Sequence, residues 1–351
     1  MSDIEVIRTA DAATLAVFDA LIDVRSPSEF AEDHAPGAIN LPVLDDAERA
    51  VVGTIYVQES RFRARRVGAA LVARNIALHL ETALADQPGS FRPLVYCWRG
   101  GQRSNAMATV LAQVGWRAAV LEGGYRTYRR HVKTQLYDRV ADLKLIMLDG
   151  HTGSAKTAIL GRVATRGVQT LDLEDLAQHR GSLLGALPGR PQPSQKMFES
   201  RLLQAMERLD PARPVVVEAE ASKIGQRMVP PALWQLMIKA PRITLEVPPD
   251  ARARYLAGVY AETVSDLDAL EALLARLPGR HGRKAVAAWR AMAEAGELEA
   301  LAGSLIEAHY DPAYGRAASL DARPRLGTIG VPDLTEGDQE AAADRIAAML
   351  S

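Results

Sequence analysis

Short apolar runs, each followed by a polar or glycine-rich turn, recur along the whole chain. Runs of four or five apolar residues between turns are typical of buried strands, and apolar residues spaced three or four apart indicate amphipathic helices. We predict strands at 20–24, 93–96, 118–121, 145–149, 215–218 and 243–247. Because these strands alternate with helices, the pattern predicts an α/β fold with mostly parallel sheets, whose ligands lie at the carboxyl ends of strands.

Helical patterns fill the segments between these strands and the end of the chain. An apolar stripe runs from Tyr125 to Leu143 with arginines on its other face, and residues 250–303 are mostly helical and rich in alanine. We therefore predict an α/β domain at 1–124, a linker helix at 125–142, and a second α/β domain with a helical C-terminal part at 143–351.

Composition adds limits to this picture. A chain of 351 residues can form two domains, and its formal net charge of −1 gives no global field for a polyanion. One cysteine cannot form an internal disulfide, which agrees with a reducing cytosol. The first residues lack a basic start followed by an apolar stretch, so we expect a cytoplasmic protein with neither a secretion signal nor a membrane span.

The only cysteine directly follows the predicted strand 93–96 and opens a loop that leads into a predicted helix. Two glycines let the loop backbone curl so that N–H groups point inward, and two arginines add positive charge. A thiol there has a pKa below its usual value of about 8.5, so we predict a reactive thiolate rather than an inert core cysteine. The predicted catalytic residues are Cys97, Arg99 and Arg103, in a loop with Trp98, Gly100, Gly101, Gln102 and Ser104.

A second motif follows the predicted strand 145–149, where residues 150–157 read Gly-His-Thr-Gly-Ser-Ala-Lys-Thr before a helical stretch. Strand, loop and helix have the order of a P-loop, whose N–H groups and lysine hold phosphate while its final hydroxyl reaches phosphate or metal. Ala155 stands where that motif has glycine, which we expect to affect nucleotide hydrolysis more than phosphate binding. The predicted phosphate-binding residues are Gly150, Thr152, Gly153, Ser154, Lys156 and Thr157.

Other charged residues are candidates for supporting roles. Glu218 and Glu220 follow the strand 215–218, and Asp172 lies in a polar segment, so these three could act as acids or hold Mg²⁺ beside the phosphate. The sequence shows no metal-ligand cluster of recognisable spacing and gives no reason to expect a redox cofactor. A helical segment at 59–81 is basic; a solvated face is its ordinary explanation and contact with an RNA backbone the alternative. The candidates for contact with RNA or with a diphosphate are Arg61, Arg63, Arg65, Arg66, Arg180 and Lys196.

The first half of the chain resembles the rhodanese domains, which carry sulfur or selenium on a loop cysteine. The resemblance rests on the segments 23–25, 34–40 and 121–124 together with the Cys97 loop. Cys97 and Arg103 form a Cys-x5-Arg loop, one residue longer than in sulfurtransferases. The longer loop is similar to that of rhodanese-fold phosphatases and arsenate reductases.

A rhodanese domain followed by a P-loop domain resembles the bacterial tRNA 2-selenouridine synthases over nearly the whole chain. The matching segments are 52–56, 97–104, 150–157, 172–174, 179–182, 192–199 and 218–220, and the family has glycine where Ala155 stands. The resemblance implies that tRNA carrying wobble 2-thiouridine first receives a geranyl group from geranyl diphosphate. Lys156, Thr157 and the loop amides would bind the diphosphate, and Mg²⁺ would help to neutralise its charge. It implies next that selenophosphate, supplied by its synthase, delivers selenium with Cys97 as the reactive group.

Three other functions stay open on the sequence. The first is a phosphatase or arsenate reductase with an accessory P-loop domain, although Tyr96 replaces the histidine that such enzymes have before the cysteine. The second is a kinase-like enzyme driven by nucleoside triphosphate, in which the rhodanese unit only binds a partner. The third, a non-enzymatic interaction module, is disfavoured because Cys97 and Lys156 are both intact.

Overall fold

The structure is a computed structural model that describes residues 4–139, 142–182, 185–187, 189–264, 281–318 and 323–350. Contacts divide the chain into two units, Met1–Arg139 with Ser194–Glu207, and Val140–Pro193 with Arg208–Ser351. These units differ from the predicted ranges at two places. The segment predicted as a linker helix lies within the first unit up to Arg139, and Ser194–Glu207 also belongs to the first unit.

The first unit contains a parallel sheet of five short strands in the order β1-β5-β4-β2-β3. The strands are β1 (Glu5–Ile7), β2 (Ala20–Asp23), β3 (Ile39–Asn40), β4 (Pro93–Tyr96) and β5 (Ala119–Leu121). All four residues of β4 are buried, as expected for a central parallel strand covered on both faces. The predicted strands in this half are confirmed, whereas β1 was not predicted.

Helices cover this sheet. They are α1 (Ala12–Leu15), α2 (Pro27–Glu32), α3 (Asp46–Gln58), α4 (Arg61–Glu81), α5 (Gln102–Val114) and α6 (Tyr125–Lys133), which continues as a π-helical turn at Thr134–Asp138. Local sequence explains where α3 begins, because the Asp45 carboxylate accepts the N–H of Glu48 at 2.7 Å and the Glu48 carboxylate accepts the N–H of Asp45 at 3.0 Å. The core between sheet and helices includes Ile22, Val95 and Leu111.

The second unit also contains a parallel five-stranded sheet, in the order β12-β11-β6-β8-β7, and a separate two-stranded ribbon of β9 and β10. The chain winds from the central β6 to β7 and β8 on one side and then crosses to β11 and β12 on the other. The carboxyl end of β6 is therefore a topological switch point, where ligands bind in open α/β sheets. The strands are β6 (Lys144–Asp149), β7 (Gln169–Leu171), β8 (Pro214–Glu218), β9 (Lys223–Ile224), β10 (Arg227–Met228), β11 (Arg242–Glu246) and β12 (Arg325–Gly330).

The helices of the second half form two groups. One group packs on the sheet with a core that includes Ile159, Val216 and Ile346, and the other forms a helical cluster around Trp289 and Leu301. The helices are α7 (Lys156–Thr165), α8 (Leu173–Ala177), α9 (Gln195–Glu207, in the first unit), α10 (Pro231–Met237), α11 (Pro249–Val264), α12 (Gly282–Glu294), α13 (Leu298–Leu305), α14 (Asp311–Ala318) and α15 (Glu336–Leu350). Across the described residues, no helix combines the length and the apolar character needed to span a bilayer.

Candidate active site

Cys97 lies in the loop between β4 and α5, at the carboxyl end of the central strand of the first sheet. It is 3% exposed. The backbone N–H of Gly101 donates a hydrogen bond to the Cys97 Sγ atom at 3.2 Å, and the Ser104 hydroxyl donates another at 3.3 Å. Two donors aimed at one sulfur stabilise the thiolate relative to the thiol.

The pKa of the Cys97 thiol results from two opposing effects. Burial raises this pKa, whereas the Ser104 hydroxyl and the backbone N–H groups of Ser104, Gly101 and Arg99 lower it by more. The net pKa therefore lies below the ordinary value for cysteine. This is the direction that the sequence predicted, and the donors that produce it belong to the loop backbone and to Ser104.

The two arginines of the loop differ in their surroundings. The Arg103 guanidinium contacts the Glu29 carboxylate at 3.1 Å, and Arg49 contacts the same carboxylate at 3.3 Å. Burial raises the pKa of Glu29, but these two guanidinium groups lower it by more, so Glu29 is ionised. Arg99 is exposed at the rim of the loop. Part of the positive charge that the sequence predicted here is thus neutralised by Glu29.

Glycines allow the Cys97 loop to touch the turn after β5. Gly100 has φ of +62°, and a Cβ at that position would lie 2.7 Å from the Gly123 nitrogen and from the Leu121 oxygen. Gly124 has φ of +57°, and a Cβ there would collide with the Cys97 carbonyl oxygen. The Tyr125 N–H donates to that same oxygen at 2.8 Å. Backbone packs directly on backbone, which fixes the loop around the sulfur.

A buried arginine supports the Cys97 loop through aromatic side chains. Arg25 is 1% exposed, pairs with the Asp23 carboxylate at 2.6 Å and donates to the Asp33 carbonyl oxygen at 2.6 Å. Its guanidinium lies 4.0 Å from the centre of the Tyr125 ring, and Trp98 stacks on that ring at 5.2 Å. Arg25 therefore supports Trp98 of the predicted loop through Tyr125.

The second motif forms a phosphate loop between β6 and α7. It borders a cavity of about 450 Å³ that is lined by every predicted phosphate-binding residue, namely Gly150, Thr152, Gly153, Ser154, Lys156 and Thr157. The Lys156 ammonium donates to the Gly150 carbonyl oxygen at 3.0 Å. Among the described residues the buried Ser154 hydroxyl has no hydrogen-bond partner. A buried hydroxyl without a partner is costly, and a phosphate oxygen in the loop would satisfy it.

Ala155 adopts the left-handed conformation, with φ of 55° and ψ of 30°, immediately before the first residue of α7. The residue is 6% exposed and belongs to the core under the phosphate loop. Glycine adopts this conformation freely, whereas alanine pays a steric penalty. The loop thus keeps the backbone path that glycine would favour in spite of the substitution.

Four carboxylates gather beside the phosphate loop at the ends of β7 and β8. The Thr157 hydroxyl donates to Glu174 at 2.7 Å, and Glu174 and Glu220 both line the cavity. Burial raises the pKa of Glu174, Glu218, Glu220 and Asp172, and repulsion among these carboxylates adds to the effect. Asp172 also accepts the N–H of Asp175 at the start of α8.

The oxygen donors at this position fit a magnesium ion. One Glu218 carboxylate oxygen is buried without a partner among the described residues, and the like charges would be relieved by a cation. In the part of the chain that the structure describes, no three His, Cys, Asp or Glu side chains form a metal site alone. Mg²⁺ is commonly held by one or two carboxylates together with substrate phosphates, so Thr157, Glu174 and Glu220 could share it with a diphosphate.

The predicted basic residues separate into three places. Arg180 lines the cavity and donates to the Val259 carbonyl oxygen at 3.0 Å. Lys196 lies on α9 in the first unit, pairs with Glu32 at 2.6 Å and is not among the residues that line the cavity. The four arginines at 61, 63, 65 and 66 are exposed in the first two turns of α4.

Sequence reasoning missed several residues around the phosphate loop. Asp311 accepts a hydrogen bond from Arg252 at 2.8 Å and lies 2.9 Å from His151, and the Tyr314 hydroxyl donates to Asp149 at 2.7 Å. The tail that carries Asp311 and Tyr314 had no predicted role, although its polar and aromatic residues were visible. An apolar wall was also missed, since α11 lines the cavity with Tyr255, Leu256 and Val259.

Fold and loops together define a protein in which a rhodanese-like domain precedes a P-loop domain. Residues 7–131 match the family described as "Rhodanese-like domain", and residues 143–271 match the family described as "tRNA 2-selenouridine synthase AAA domain". Both parts of the predicted fold class are thereby confirmed. A solved rhodanese-related protein from Thermoplasma volcanium is 19% identical with a TM-score of 0.23, over 36% of this chain and 93% of that chain.

Relatives that match across both domains make the assignment more specific. The tRNA 2-selenouridine synthase of Cupriavidus necator is 34% identical over 340 residues, which are 87% of this chain and 90% of that relative. The tRNA 2-selenouridine synthase of Sulfurovum is 37% identical over 243 residues, 68% of this chain and 65% of that relative. The chain belongs to the tRNA 2-selenouridine synthase family.

Proposed function

We propose that this protein is a transferase that replaces sulfur by selenium in the wobble 2-thiouridine of tRNA. Selenophosphate supplies the selenium, and an S-geranyl-2-thiouridine intermediate forms from geranyl diphosphate. The observation that carries the proposal is the presence, in one chain, of an anion-stabilising thiol loop and a phosphate loop beside an apolar wall. A tRNA substrate implies action in the cytoplasm.

The first reaction is assigned to the cavity of the second unit. The wobble sulfur attacks the first carbon of the geranyl group, and the carbon–oxygen bond to diphosphate breaks. Lys156, the Ser154 hydroxyl and the loop N–H groups hold the departing diphosphate, whose charge they stabilise. Mg²⁺, when bound beside Glu174 and Glu220, adds further neutralisation of that charge. The cavity of about 450 Å³ lies within the range of small-molecule sites.

The second reaction is assigned to the Cys97 loop of the first unit. Alkylation turns the thiouridine sulfur into a thiolate leaving group, so the selenium of selenophosphate can attack the ring carbon while geranylthiolate departs. Water then cleaves the phosphorus–selenium bond, which leaves 2-selenouridine and phosphate. A loop that lowers the pKa of its thiol with N–H and O–H donors also stabilises a larger selenium anion. Cys97 is the reactive group of this step, and Ser104 and Gly101 are its donors.

The test is mass spectrometry of nucleosides from 2-thiouridine tRNA incubated with the protein, geranyl diphosphate, selenophosphate and Mg²⁺. We expect Cys97→Ser to abolish 2-selenouridine and leave geranylation intact, because it removes only the reactive sulfur. We expect Lys156→Ala to weaken geranylation at least tenfold, as loss of a charge on the diphosphate would. Lys239→Ala removes an exposed lysine and is the matched control.

The phosphatase alternative gives a different result in the same assay. It predicts hydrolysis of phosphoesters or turnover of arsenate that depends on Cys97 and requires no RNA. Family membership does not favour it, and Tyr96 is buried where such enzymes have histidine. If a folded wild-type protein left the tRNA unmodified and hydrolysed phosphoesters, the phosphatase function would take the place of the proposed one.

A further inference from the structure

The helices α3 and α4 form an antiparallel hairpin that the proposed chemistry does not use. Only Glu59 and Ser60 join them. Asn75 of α4 donates to Glu48 of α3 at 2.7 Å, and nearer the connection a Cβ on Gly68 would lie 3.4 Å from Val52. The hairpin thus has a fixed alignment, and its tip is the region around the two connecting residues.

Large apolar side chains are exposed at this tip. Val57 is 82% exposed, Phe62 is 76% exposed and Tyr56 is 47% exposed. Single exposed apolar residues are ordinary on protein surfaces, but an exposed apolar cluster marks an interaction site. Three such residues at one hairpin tip indicate that the tip is covered by a partner.

Arginines surround these apolar residues. The Arg61 guanidinium lies 5.5 Å from the centre of the Tyr56 ring, and Arg63 pairs with Glu59. Arg65 and Arg66 are exposed, and neither makes an ion pair with any residue in the described ranges. A protein interface has a core depleted of charge, whereas unpaired RNA is bound by aromatic faces for the bases and arginines for the phosphates.

We propose that this hairpin tip, formed by Tyr56, Val57, Arg61, Phe62, Arg65 and Arg66, binds unpaired nucleotides of an RNA loop. Phe62 stacks on a base, the Val57 side chain packs beside it, and Arg65 and Arg66 contact phosphates. The inference rests on the proposed function, in which tRNA is the substrate. It adds the site on the protein where a loop of that tRNA binds. It assigns roles to Val57 and Phe62, which have none in the chemistry.

The first test compares two exposed apolar residues of one helix. Binding of a fluorescent anticodon stem–loop RNA to the full chain is measured by anisotropy for wild type, Phe62→Ala and Leu78→Ala. Leu78 is 53% exposed and lies about four turns further along α4, so it is the matched control. We expect Phe62→Ala to weaken binding roughly 5- to 100-fold, the range for loss of one base stack, and Leu78→Ala to have no effect.

The second test concerns the arginines. We expect the double variant Arg65→Gln, Arg66→Gln to bind more weakly and to reduce the slope of log affinity against log salt by about 0.7 for each lost phosphate contact. Arg8→Gln, at an exposed position outside the hairpin, is the control. All the substituted side chains are exposed, so circular dichroism and thermal melting should match the wild type.

The outcomes separate this inference from the proposed function. RNA binding unchanged by both tip variants overturns the inference, even when the wild type converts 2-thiouridine, and leaves the tip to a protein partner. Binding that depends on the tip, from a protein that gives no modified nucleoside, supports the inference and contradicts the proposed chemistry. A wild-type chain that does not bind the RNA overturns the inference.

Discussion

Ala155 departs from the P-loop motif, yet its backbone has the left-handed conformation that glycine would adopt there. Its left-handed conformation costs about 1–2 kcal/mol for alanine. Two effects offset that cost, since alanine restricts the unfolded chain by about 0.4–1 kcal/mol more than glycine and its methyl group is buried. The three contributions nearly cancel, so this position accepts alanine without losing the phosphate loop.

This balance leads to a prediction for two substitutions. We expect Ala155→Gly to change the affinity for inorganic diphosphate by less than about threefold, because the backbone conformation is already that of glycine. We expect Ala155→Val to weaken it by at least about tenfold, since a branched side chain strongly disfavours positive φ. Isothermal titration calorimetry on the full chain measures both. Equal affinities for the two variants would show that the conformation of residue 155 does not control the loop.

The local pattern predicted the position of Cys97 and Lys156 at the ends of strands, but it did not predict the distant residues that contact the phosphate-loop region. Each of the two lies just after a buried strand, in a loop whose neighbours in sequence supply most of its contacts. Asp311 and Tyr314 instead reach residues about 160 positions earlier, His151 and Asp149. No spacing rule connects residues that far apart, so only the folded chain assigns them to the phosphate loop.

At the scale of elements, parallel strands bring acids together because their carboxyl ends lie at one edge of the sheet. Burial, together with the charge of Glu220, raises the pKa of Glu174 to about 7, so Glu174 is largely neutral below pH 7 and charged above it. A charged Glu174 repels an anion in the cavity. The affinity of the cavity for diphosphate should therefore depend on pH near neutrality.

We expect the affinity for inorganic diphosphate, measured without Mg²⁺, to fall as pH rises from 6 to 8. Glu174→Gln should reduce that fall, because glutamine stays neutral throughout. Added Mg²⁺ should reverse the trend in the wild type, since ionised carboxylates bind the cation. Calorimetry at several pH values measures these affinities.

Glu299→Gln is the control, because Glu299 is exposed on α13 and diphosphate ionises in the same way with each variant. A wild-type profile that Glu174→Gln leaves unchanged would assign the pH dependence to the ligand. It would also remove Glu174 from the group of residues that face the diphosphate.

The accuracy of the element predictions follows from burial. The central strands β4 and β6 are almost wholly buried, so their apolar runs marked them clearly. The edge strand β12 has one buried residue among its six, and β7 has only three residues, so neither gave a distinct apolar run. The helix α3 also escaped prediction, although its capping residues Asp45 and Glu48 stand in the sequence.

At the scale of the whole molecule, the chain crosses between its two units more often than a simple tandem arrangement requires. The helix α9 leaves the second unit after Pro193, packs in the first unit, and the chain returns after Glu207. The sequence did not predict that α9 belongs to the first unit, because α9 directly follows segments of the second unit along the chain. Its contacts are specific, since the Ser200 hydroxyl donates to the buried Asp33 at 2.8 Å and Lys196 pairs with Glu32.

A cleavage experiment tests whether α9 is part of the first unit in solution. A protease site is inserted after Arg139, and the cut protein is analysed by size-exclusion chromatography. We expect both fragments to elute together, because α9 on the second fragment keeps its buried face, including Phe198 and Ser200, against the first. The hydrogen bond to the Asp33 carboxylate adds about 1.5–3 kcal/mol to that association.

The control is the same cut protein with Asp33→Ala and Lys196→Ala, which removes two polar contacts of α9 without altering the second sheet. We expect this variant to separate at lower protein concentration than the cut wild type. Separation of both at the same concentration would mean that these contacts do not hold α9. In that case the buried face of α9, including Phe198, would account for the association of the fragments.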